Sequence, residues 1–307
     1  MKVALLAGGT GGTKLAHGFA QVLAAGDLTV IANVGDDCEP HGLHVSPDID
    51  ALLYTLGGLI DVEQGWGVRN DSFTAQGMLE RYGRPAWFRV GDADLATHVE
   101  RTRRLRAGAS LTDATAALAA ALGIFTRILP ATDDRLRTRV ETDAGTLEFQ
   151  DYFVRLRQQP EVRSVILDGL DAARPTAAVL DALAVAELIV IGPSNPLVSI
   201  GPILALDGLR QAVVDASAVK VAVSPIVSGK ALKGPADRML TSLGHESSAL
   251  GVARLYAGLV DRFVLDEADA ALAPEVEAVG MRADVLPTVM RDDAGRAALA
   301  RAIIGLA

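Results

Sequence analysis

Residues 3–15 read Val-Ala-Leu-Leu-Ala-Gly-Gly-Thr-Gly-Gly-Thr-Lys-Leu, an apolar run that passes directly into a glycine-rich turn. The uninterrupted apolar run predicts a buried strand over residues 3–7. Helical spacing of apolar residues follows over 15–25, and a second apolar run at 28–32 predicts another strand. Strand, glycine turn, helix and strand in this order are typical of a βαβ unit, and therefore of an α/β protein.

The same alternation of strands and helices resumes in the second half of the chain. Apolar runs predict strands at 162–167, 188–191, 219–223, 263–265 and 283–286. Helical patterns lie at 175–186, 206–214, 234–243, 248–260 and 293–304. Because strands buried on both faces are continuously apolar, we expect an α/β fold with a mainly parallel sheet and helices on both faces.

The middle of the chain has a different pattern. Residues 48–125 are mostly helical, and two short segments at 137–140 and 146–149 flank Asp143-Ala144-Gly145 as in a β-hairpin. We predict one α/β domain over 1–307, with a core at about 1–47 and 160–307 and an inserted region at about 48–159. The insert is expected to cover the carboxyl edge of the sheet, where ligands of such folds bind.

Composition narrows the classes of function. Half of the 307 residues are apolar, 22% are charged and the formal net charge is −9. This acidity argues against a broad surface for nucleic acid or for an anionic membrane. An anionic substrate must therefore be met locally, by backbone N–H groups, single basic side chains or a metal.

The single cysteine and the N-terminus indicate the compartment. Cys38 excludes an internal disulfide and has no cysteine neighbour for a zinc cluster. The chain begins with a strand rather than a signal peptide, and no apolar run of about 18 residues predicts a membrane span. We expect a cytoplasmic protein.

The glycine turn departs from both common nucleotide patterns. A dinucleotide fingerprint counted from Gly9 would need glycine where Lys14 stands, and a P-loop needs Gly-Lys-Ser/Thr. Either the turn binds nothing, or its backbone N–H groups hold a phosphate; four glycines exceed what a turn needs, which favours phosphate. The residues predicted to bind it are Gly9, Thr10, Gly11, Gly12 and Lys14, although Lys14 is equally consistent with a solvated side chain.

Two acidic pairs follow the glycine turn. Asp36-Asp37 comes after the second predicted strand, and Asp48 and Asp50 precede a helical stretch. A single aspartate there would be an ordinary helix cap. Four carboxylates within fifteen residues, beside a phosphate loop, favour Mg²⁺, which takes one or two protein carboxylates together with phosphate oxygens. His41 and His44 between the pairs are consistent with polar loop contacts or with a substrate contact.

Later segments add polar groups. Gly192-Pro193-Ser194-Asn195-Pro196 follows a predicted strand, so Ser194 and Asn195 are candidates to bind a base, a ribose or a phosphate. In the segment 91–98, Asp92 or Asp94 is expected to cap a helix, and His98 lies one turn after Asp94. The arginines at its end, Arg101, Arg103, Arg104 and Arg106, suit either a helix C-terminus or a ligand. No nucleophile constellation is present, which favours direct transfer between bound substrates.

Together these stretches resemble the CofD family, the 2-phospho-L-lactate transferases of coenzyme F420 biosynthesis and their phosphoenolpyruvate-using relatives. The resemblance follows the chain in order through 8–15, 33–37, 41–50, 65–67, 91–98, 108–113, 129–134, 149–153, 192–203 and 223–226. It implies a Rossmann-like core with a helical lid, a homodimer and dependence on Mg²⁺. It also implies transfer of a phospholactyl-type group from a guanosine diphospho donor to the deazaflavin Fo, with release of GMP.

The resemblance assigns roles to residues. The glycine loop with Ser194 and Asn195 would hold the donor. Asp36 and Asp48 would be catalytic, and the metal would lie on Asp36, Asp37 and Asp48. The predicted contacts of Fo are Asp50, Arg89 and His98. Ala93 departs from the family pattern, since many members carry arginine there.

Two other classes of protein are alternatives. A non-catalytic regulator that binds nucleotide sugars belongs to the same superfamily, but such proteins tend to show Asp-Asp-Gly-Gly-Ser-Ser where this chain has Asp36-Asp37-Cys38-Glu39-Pro40. An NAD-dependent oxidoreductase is disfavoured by the missing fingerprint. Lactate, enolpyruvate and glycerate donors differ by only a few atoms, and the sequence does not choose among them.

Overall fold

The structure is a computed structural model that describes residues 1–307. Its strands are β1 (Val3–Ala7), β2 (Leu28–Ala32), β3 (Arg127–Pro130), β4 (Arg137–Thr142), β5 (Gly145–Glu148), β6 (Val162–Asp168), β7 (Leu188–Ile191), β8 (Val219–Val223), β9 (Ile226–Val227), β10 (Lys230–Ala231), β11 (Arg262–Asp266) and β12 (Arg282–Leu286). Its α-helices are α1 (Gly9–Val22), α2 (Pro47–Leu56), α3 (Thr74–Arg81), α4 (Asp92–Arg106), α5 (Leu111–Ala121), α6 (Ala177–Ala184), α7 (Gly201–Ala205), α8 (Leu209–Asp215), α9 (Ala236–Ser242), α10 (Ala249–Leu255), α11 (Ala273–Ala278) and α12 (Asp293–Ile304).

Seven strands form one sheet in the order β12-β11-β8-β7-β1-β2-β3, and every neighbouring pair is parallel. All five residues of β1 are buried, as are all four of β7. Such runs are expected where helices cover both faces of a parallel sheet. The predicted α/β class with a mainly parallel sheet is therefore confirmed.

The strand order reverses beside β1. The chain continues from β1 to β2 and β3 on one side, whereas β7, β8, β11 and β12 extend the sheet on the other. The loops that leave β1 and β7 therefore diverge at the carboxyl edge, and the place where they part is the switch-point crevice. In doubly wound folds such a switch point is where ligands bind.

Three local features differ from what the sequence predicted. The run at 162–167 is a strand, β6, but it pairs antiparallel with β4 in a separate three-stranded sheet, β5-β4-β6. Strand β3 was not predicted, and it forms the edge of the main sheet from within the stretch taken as an insert. Helix α1 begins at Gly9 rather than near residue 15, so the glycine turn is the first turn of a helix.

The region over the carboxyl edge is helical, as expected. Helices α2, α3, α4 and α5 lie between residues 47 and 121, and β4 and β5 form the predicted hairpin. Ile49, Leu52 and Leu53 of α2 are buried in the main core, a cluster of 62 buried residues. Helix α2 is thus fixed against the sheet, while the division of the chain into core and insert stays a prediction.

No helix of the structure has the length and apolar character needed to cross a membrane.

Candidate active site

The loops after β1 and β7 touch each other at the switch point. The Gly8 N–H donates to Ser194 Oγ at 3.3 Å. A methyl group on Gly11 would collide with the Pro193 carbonyl oxygen, and one on Gly12 would lie 2.6 Å from Ser194 Oγ. Since no side chain fits between them, the glycines permit a close approach of the two loops. The structure thus brings together the two segments predicted to hold a donor.

Helix α2 meets the glycine turn through a carboxylate. The Gly9 N–H donates to Asp48 Oδ1 at 2.6 Å. Asp48 lies in the first turn of α2 and is 6% exposed. N–H groups at the start of a helix lack partners within the helix and attract negative charge. Asp48 therefore occupies one donor at the N-terminus of α1.

Asn33, which follows β2, joins two of the predicted carboxylates. Its Nδ2 donates to Asp48 Oδ2 at 2.9 Å and to Asp36 Oδ1 at 3.2 Å. Its Oδ1 accepts the Gly35 N–H at 2.9 Å, which fixes the amide orientation. Asp36 and Asp48, distant in sequence, therefore face the same polar group at the carboxyl edge.

Both carboxyls are held where ionisation is costly. Burial, and then the neighbouring Asp48 carboxylate, raise the pKa of Asp36 well above its usual range. Burial also raises the pKa of Asp48, although the bonds from Gly9 and Asn33 oppose the shift. Two buried carboxylates this close favour a proton or a cation between them. Such a pair suits either general base chemistry or a divalent metal.

Asp37 lies beside the pair but is held differently. Its Oδ2 is 2.9 Å from His44 Nε2 and accepts the Ser46 hydroxyl at 3.0 Å, while its Oδ1 is buried with no partner. No group of three or more histidine, cysteine, aspartate or glutamate side chains is arranged as a metal site. The free Oδ1 and the buried Asp36–Asp48 pair nevertheless fit a hard cation that also takes ligand oxygens. The contacts of His44 with Asp37 and Ser46 agree with a polar loop contact, and the substrate contact that the sequence also allowed stays a prediction.

The other residues predicted to bind the donor make a few contacts within the protein. Lys14 Nζ donates to the Met290 carbonyl at 3.2 Å, and burial, followed by the charges of Arg296 and Lys233, lowers the pKa of Lys14. Asn195 Oδ1 accepts the Leu197 N–H at 2.9 Å, which shapes its own loop. Thr10 lies in the first turn of α1. Their predicted contacts with a donor stay predictions.

Two of the three residues predicted to contact the acceptor lie in a buried charge network. The Asp50 carboxylate accepts hydrogen bonds from both terminal nitrogens of Arg101, a side chain that is 0% exposed. His98 Nδ1 lies 3.7 Å from Asp50 Oδ2. Burial acts against it, but Asp50 raises the pKa of Arg101, so the guanidinium stays charged. The network fixes helix α4 to helix α2.

The network continues along α4, whereas Arg89 lies apart from it. His98 Nε2 is 3.0 Å from Asp94 Oδ1, as the spacing of these residues suggested, and the Tyr54 hydroxyl donates to the same oxygen at 2.6 Å. Arg89 is exposed, with its guanidinium 4.1 Å from the centre of the Phe73 ring. The structure therefore brings Asp50 and His98 together and shows no contact of Arg89 with either.

Two residues of the site had only a weak signal in the sequence. Asn33 belongs to the stretch 33–37 that resembles the family, but its role depends on the fold bringing Asp48 into hydrogen-bond distance. Arg101 was grouped with the basic end of α4, yet it points inward, whereas Arg103 and Arg104 pair with Glu100 on the surface. Its spacing of three residues from His98 was the available signal. The cap at α4 was also misassigned, because Asp71 accepts the N–H groups of its first turn while Asp92 caps α3.

The fold and site define an α/β protein with a glycine-lined crevice and buried carboxylates at its switch point. The model of the family described as 2-phospho-L-lactate transferase CofD matches residues 3–294. The chain belongs to the CofD family. The predicted membership is therefore confirmed over nearly the whole chain.

Curated relatives match over their full length. A phosphoenolpyruvate transferase of Streptomyces griseus is 44% identical over 313 residues, which cover 100% of this chain and 98% of the relative. A phosphoenolpyruvate transferase of Mycolicibacterium smegmatis is 38% identical over 328 residues, which cover 100% of this chain and 99% of the relative.

Solved structures agree on the fold. A Bacillus halodurans protein has one structure with a TM-score of 0.66 at 18% identity, covering 99% of both chains. A second structure, described as a member of the UPF0052 family from the same organism, has a TM-score of 0.64 at 16% identity, covering 99% of this chain and 98% of that chain. At this identity the likeness supports the architecture alone.

Proposed function

We propose that the protein transfers a phosphoenolpyruvyl or phospholactyl group from a guanosine diphospho donor to the deazaflavin Fo. The products are GMP and a phosphodiester, dehydro-F420-0 or F420-0, of coenzyme F420 biosynthesis. The observation that carries the proposal is the joining of Asp36 and Asp48 by Asn33 beside the N-terminus of α1. The names of relatives 38–44% identical over their full length favour enolpyruvate among the donors.

The donor would lie across the switch point. The N–H groups of Thr10 and Gly11 are first-turn donors of α1 and have no partner within the helix. Gly9 leaves room for phosphate oxygens close to the backbone, since a methyl group there would meet only Ser199 Oγ, at 3.9 Å. Ser194 and Asn195 on the facing loop would hold the nucleoside side of the donor, and Lys14 would add positive charge.

Magnesium is part of the proposal. Asp36, Asp37 and Asp48 would hold it, because the three carboxylates are buried near one another and Asp37 Oδ1 has no hydrogen-bond partner. When bound, Mg²⁺ supplies charge stabilisation for the diphosphate and for the departing GMP. The same binding would keep the Asp36 and Asp48 carboxylates ionised.

The reaction then needs one proton acceptor. A hydroxyl oxygen of Fo attacks the phosphorus of the transferred group, and the bond from that phosphorus to the bridging oxygen breaks. GMP leaves with the bridging oxygen, and the hydroxyl proton passes to a carboxylate oxygen of Asp36. The Asp36 carboxylate, ionised in the metal-bound site, would be able to accept this proton. Asp48 would keep the glycine turn and Asn33 in position by accepting hydrogen bonds from both.

Acceptor binding would use Asp50, Arg89 and His98. Asp50 and His98 are already fixed by Arg101 and Asp94, so they would form a rigid wall rather than move to meet the ligand. Arg89 is exposed on the lid and is free to approach a bound ring. We also propose that the protein acts as a homodimer, which sedimentation would test.

A donor panel tests the proposal. Purified protein is incubated with Fo, Mg²⁺ and the enolpyruvyl, lactyl and glyceryl diphosphoguanosines, and products are identified by mass. Formation of a phosphodiester and GMP with at least one donor supports it. No product with any donor, together with tight binding of a UDP-sugar, would favour the non-catalytic regulator instead.

A further inference from the structure

A second feature lies on the other side of Asp36. A cavity of about 300 Å³ opens between the segment 35–39 and the small sheet. The Thr138 N–H donates to the Gly35 carbonyl at 2.7 Å, and Gln150 Nε2 donates to the Asp36 carbonyl at 3.1 Å. The two walls are therefore fixed to each other, and Asp36 borders both this cavity and the switch-point crevice.

Arg137 is the unusual side chain of this cavity. It is half-buried, its guanidinium donates only to the Leu136 carbonyl at 2.9 Å, and it forms no ion pair with a carboxylate. Arg135 on the same wall pairs with Asp168 at 2.9 Å, and Arg139 pairs with Glu148 at 3.0 Å. A guanidinium has five N–H donors and suits a carboxylate in particular. Arg137 therefore has N–H donors without a hydrogen-bond partner.

The acidic groups around the cavity are already engaged elsewhere. Asp36 accepts from Asn33, Asp37 is held by His44 and Ser46, and Glu148 pairs with Arg139. Glu39 is exposed to solvent. None of these carboxylates forms an ion pair with Arg137, so its charge faces the cavity.

A second polar group on the same wall also lacks a partner. Thr138 is 1% exposed, and its Oγ1 is buried without any hydrogen bond. Burying a hydroxyl without a partner is costly, and such groups are uncommon in proteins. Arg137 and Thr138 are adjacent in β4, so their side chains point to opposite faces of the small sheet. The Thr138 Oγ1 is covered at Gly35, where a methyl group would lie only 2.4 Å from it, so Arg137 is the side chain that a ligand in the cavity would meet.

We propose that this cavity binds the carboxylate of the three-carbon acid in the transferred group, with Arg137 as its contact. The inference rests on the proposed function, since it needs a donor whose phosphorus lies at Asp36. Lactyl, enolpyruvyl and glyceryl groups all carry this carboxylate. Arg137 would therefore recognise what the donors share and reject nucleotides that lack an acid group.

Donor binding by the full-length protein tests this inference without requiring turnover. Dissociation constants are measured by calorimetry, with Mg²⁺ present, for enolpyruvyl diphosphoguanosine and for its analogue with a carboxamide in place of the carboxylate. Wild type should prefer the carboxylate by roughly tenfold or more, as expected for a charge-assisted bond. Arg137→Met should bind both donors about equally, and Arg137→Lys should recover part of the preference.

Controls separate the possible outcomes. Arg135→Met removes a neighbouring charge that is already paired and should keep the preference of wild type. Unchanged binding of the carboxamide donor by Arg137→Met shows that the variant is folded. Full preference retained in Arg137→Met overturns the inference. A preference that depends on Arg137 in a protein without transferase activity supports the inference and refutes the proposed function.

Discussion

The Gly9 N–H donates to Asp48 Oδ1 at 2.6 Å, so the glycine turn and the acidic helix α2 are in direct contact. This bond joins two segments that are 39 residues apart in the chain. It leaves Thr10 and Gly11 as the first-turn donors without a partner inside the helix. The proposed phosphate-binding surface and the carboxylates are therefore parts of a single rigid unit, and a change in one should affect the other.

The first prediction concerns the close approach at Gly11. Gly11→Ala would push a methyl group into the Pro193 carbonyl and separate the two loops of the crevice. We expect a loss of stability of about 1–3 kcal/mol and a larger loss of donor affinity. Urea unfolding and calorimetry measure the two effects.

Gly77→Ala is the matched control for this change. Gly77 lies in helix α3 and has open space around the position of a Cβ atom. Alanine there should leave stability unchanged or raise it by up to about 1 kcal/mol. Equal behaviour of the two variants would show that the approach of the loops does not matter.

The second prediction is a pH dependence of stability without metal. Asp36 and Asp48 have pKa values raised in the folded protein, so their contribution is present at low pH and is lost as pH rises through the folded pKa. The pKa of Asp48 shows the size of the effect, since burial raises it to about 6. Relative to wild type, Asp36→Asn should therefore gain stability, on the order of 1–3 kcal/mol, as pH rises above the ordinary aspartate pKa of 3.8.

Comparing Asp36→Asn with wild type cancels the contributions that other titrating groups make to stability. Burial lowers the pKa of both His17 and His41, which makes stability rise with pH over the same range. This effect is common to wild type and variant, so the difference between their thermal midpoints isolates the carboxylates. A difference that does not change with pH would refute the electrostatic account of the site.

The third prediction concerns magnesium. If Asp36 helps to hold Mg²⁺, adding the ion together with GDP should raise the thermal midpoint of wild type. When the free ligand concentration is a hundred times the dissociation constant, the free energy of unfolding rises by about 2.7 kcal/mol. Asp36→Asn should lose most of it, whereas Asp207→Asn, at a surface carboxylate 77% exposed, should keep it. A full gain in Asp36→Asn would exclude that residue as a ligand.

The fourth prediction concerns the buried pair of Asp50 and Arg101. Asp50→Leu leaves the Arg101 charge buried without its partner, which should cost about 3–5 kcal/mol of stability. The double variant with Arg101→Met should recover most of this loss. Arg254→Ala, which breaks a surface pair with Glu246, should cost less than about 1 kcal/mol. Additive losses in the double variant would contradict the buried pairing.

The local sequence was enough to predict most strands and helices, but not which strands pair with each other. β7, β8 and α12 lie where apolar runs and helical spacing placed them, because a buried strand or an amphipathic helix shows its environment in its own residues. β6 was recognised as a strand, yet nothing in its pattern says that its partner is β4. β3 has only four residues, bounded by an arginine and a proline, and gave no pattern to detect.

The site shows the same limit. Glycines and aspartates were recognisable because their chemistry points to phosphate and metal. Arg101 and Arg137 were not, since their importance depends on what lies across from them: a buried carboxylate for Arg101 and an open cavity for Arg137. Spacing along one chain does not reveal such tertiary partners.

A single-turnover assay tests the central claim, that the Asp36–Asp48 site transfers the group directly to Fo. Wild type with Mg²⁺, Fo and enolpyruvyl diphosphoguanosine should form GMP and the phosphodiester in equal amounts, and neither without Fo. Asp36→Asn should be folded and slower by roughly 10²–10⁴-fold, as expected for loss of a general base. GMP released at the same rate without Fo, or full activity in Asp36→Asn, would contradict the account.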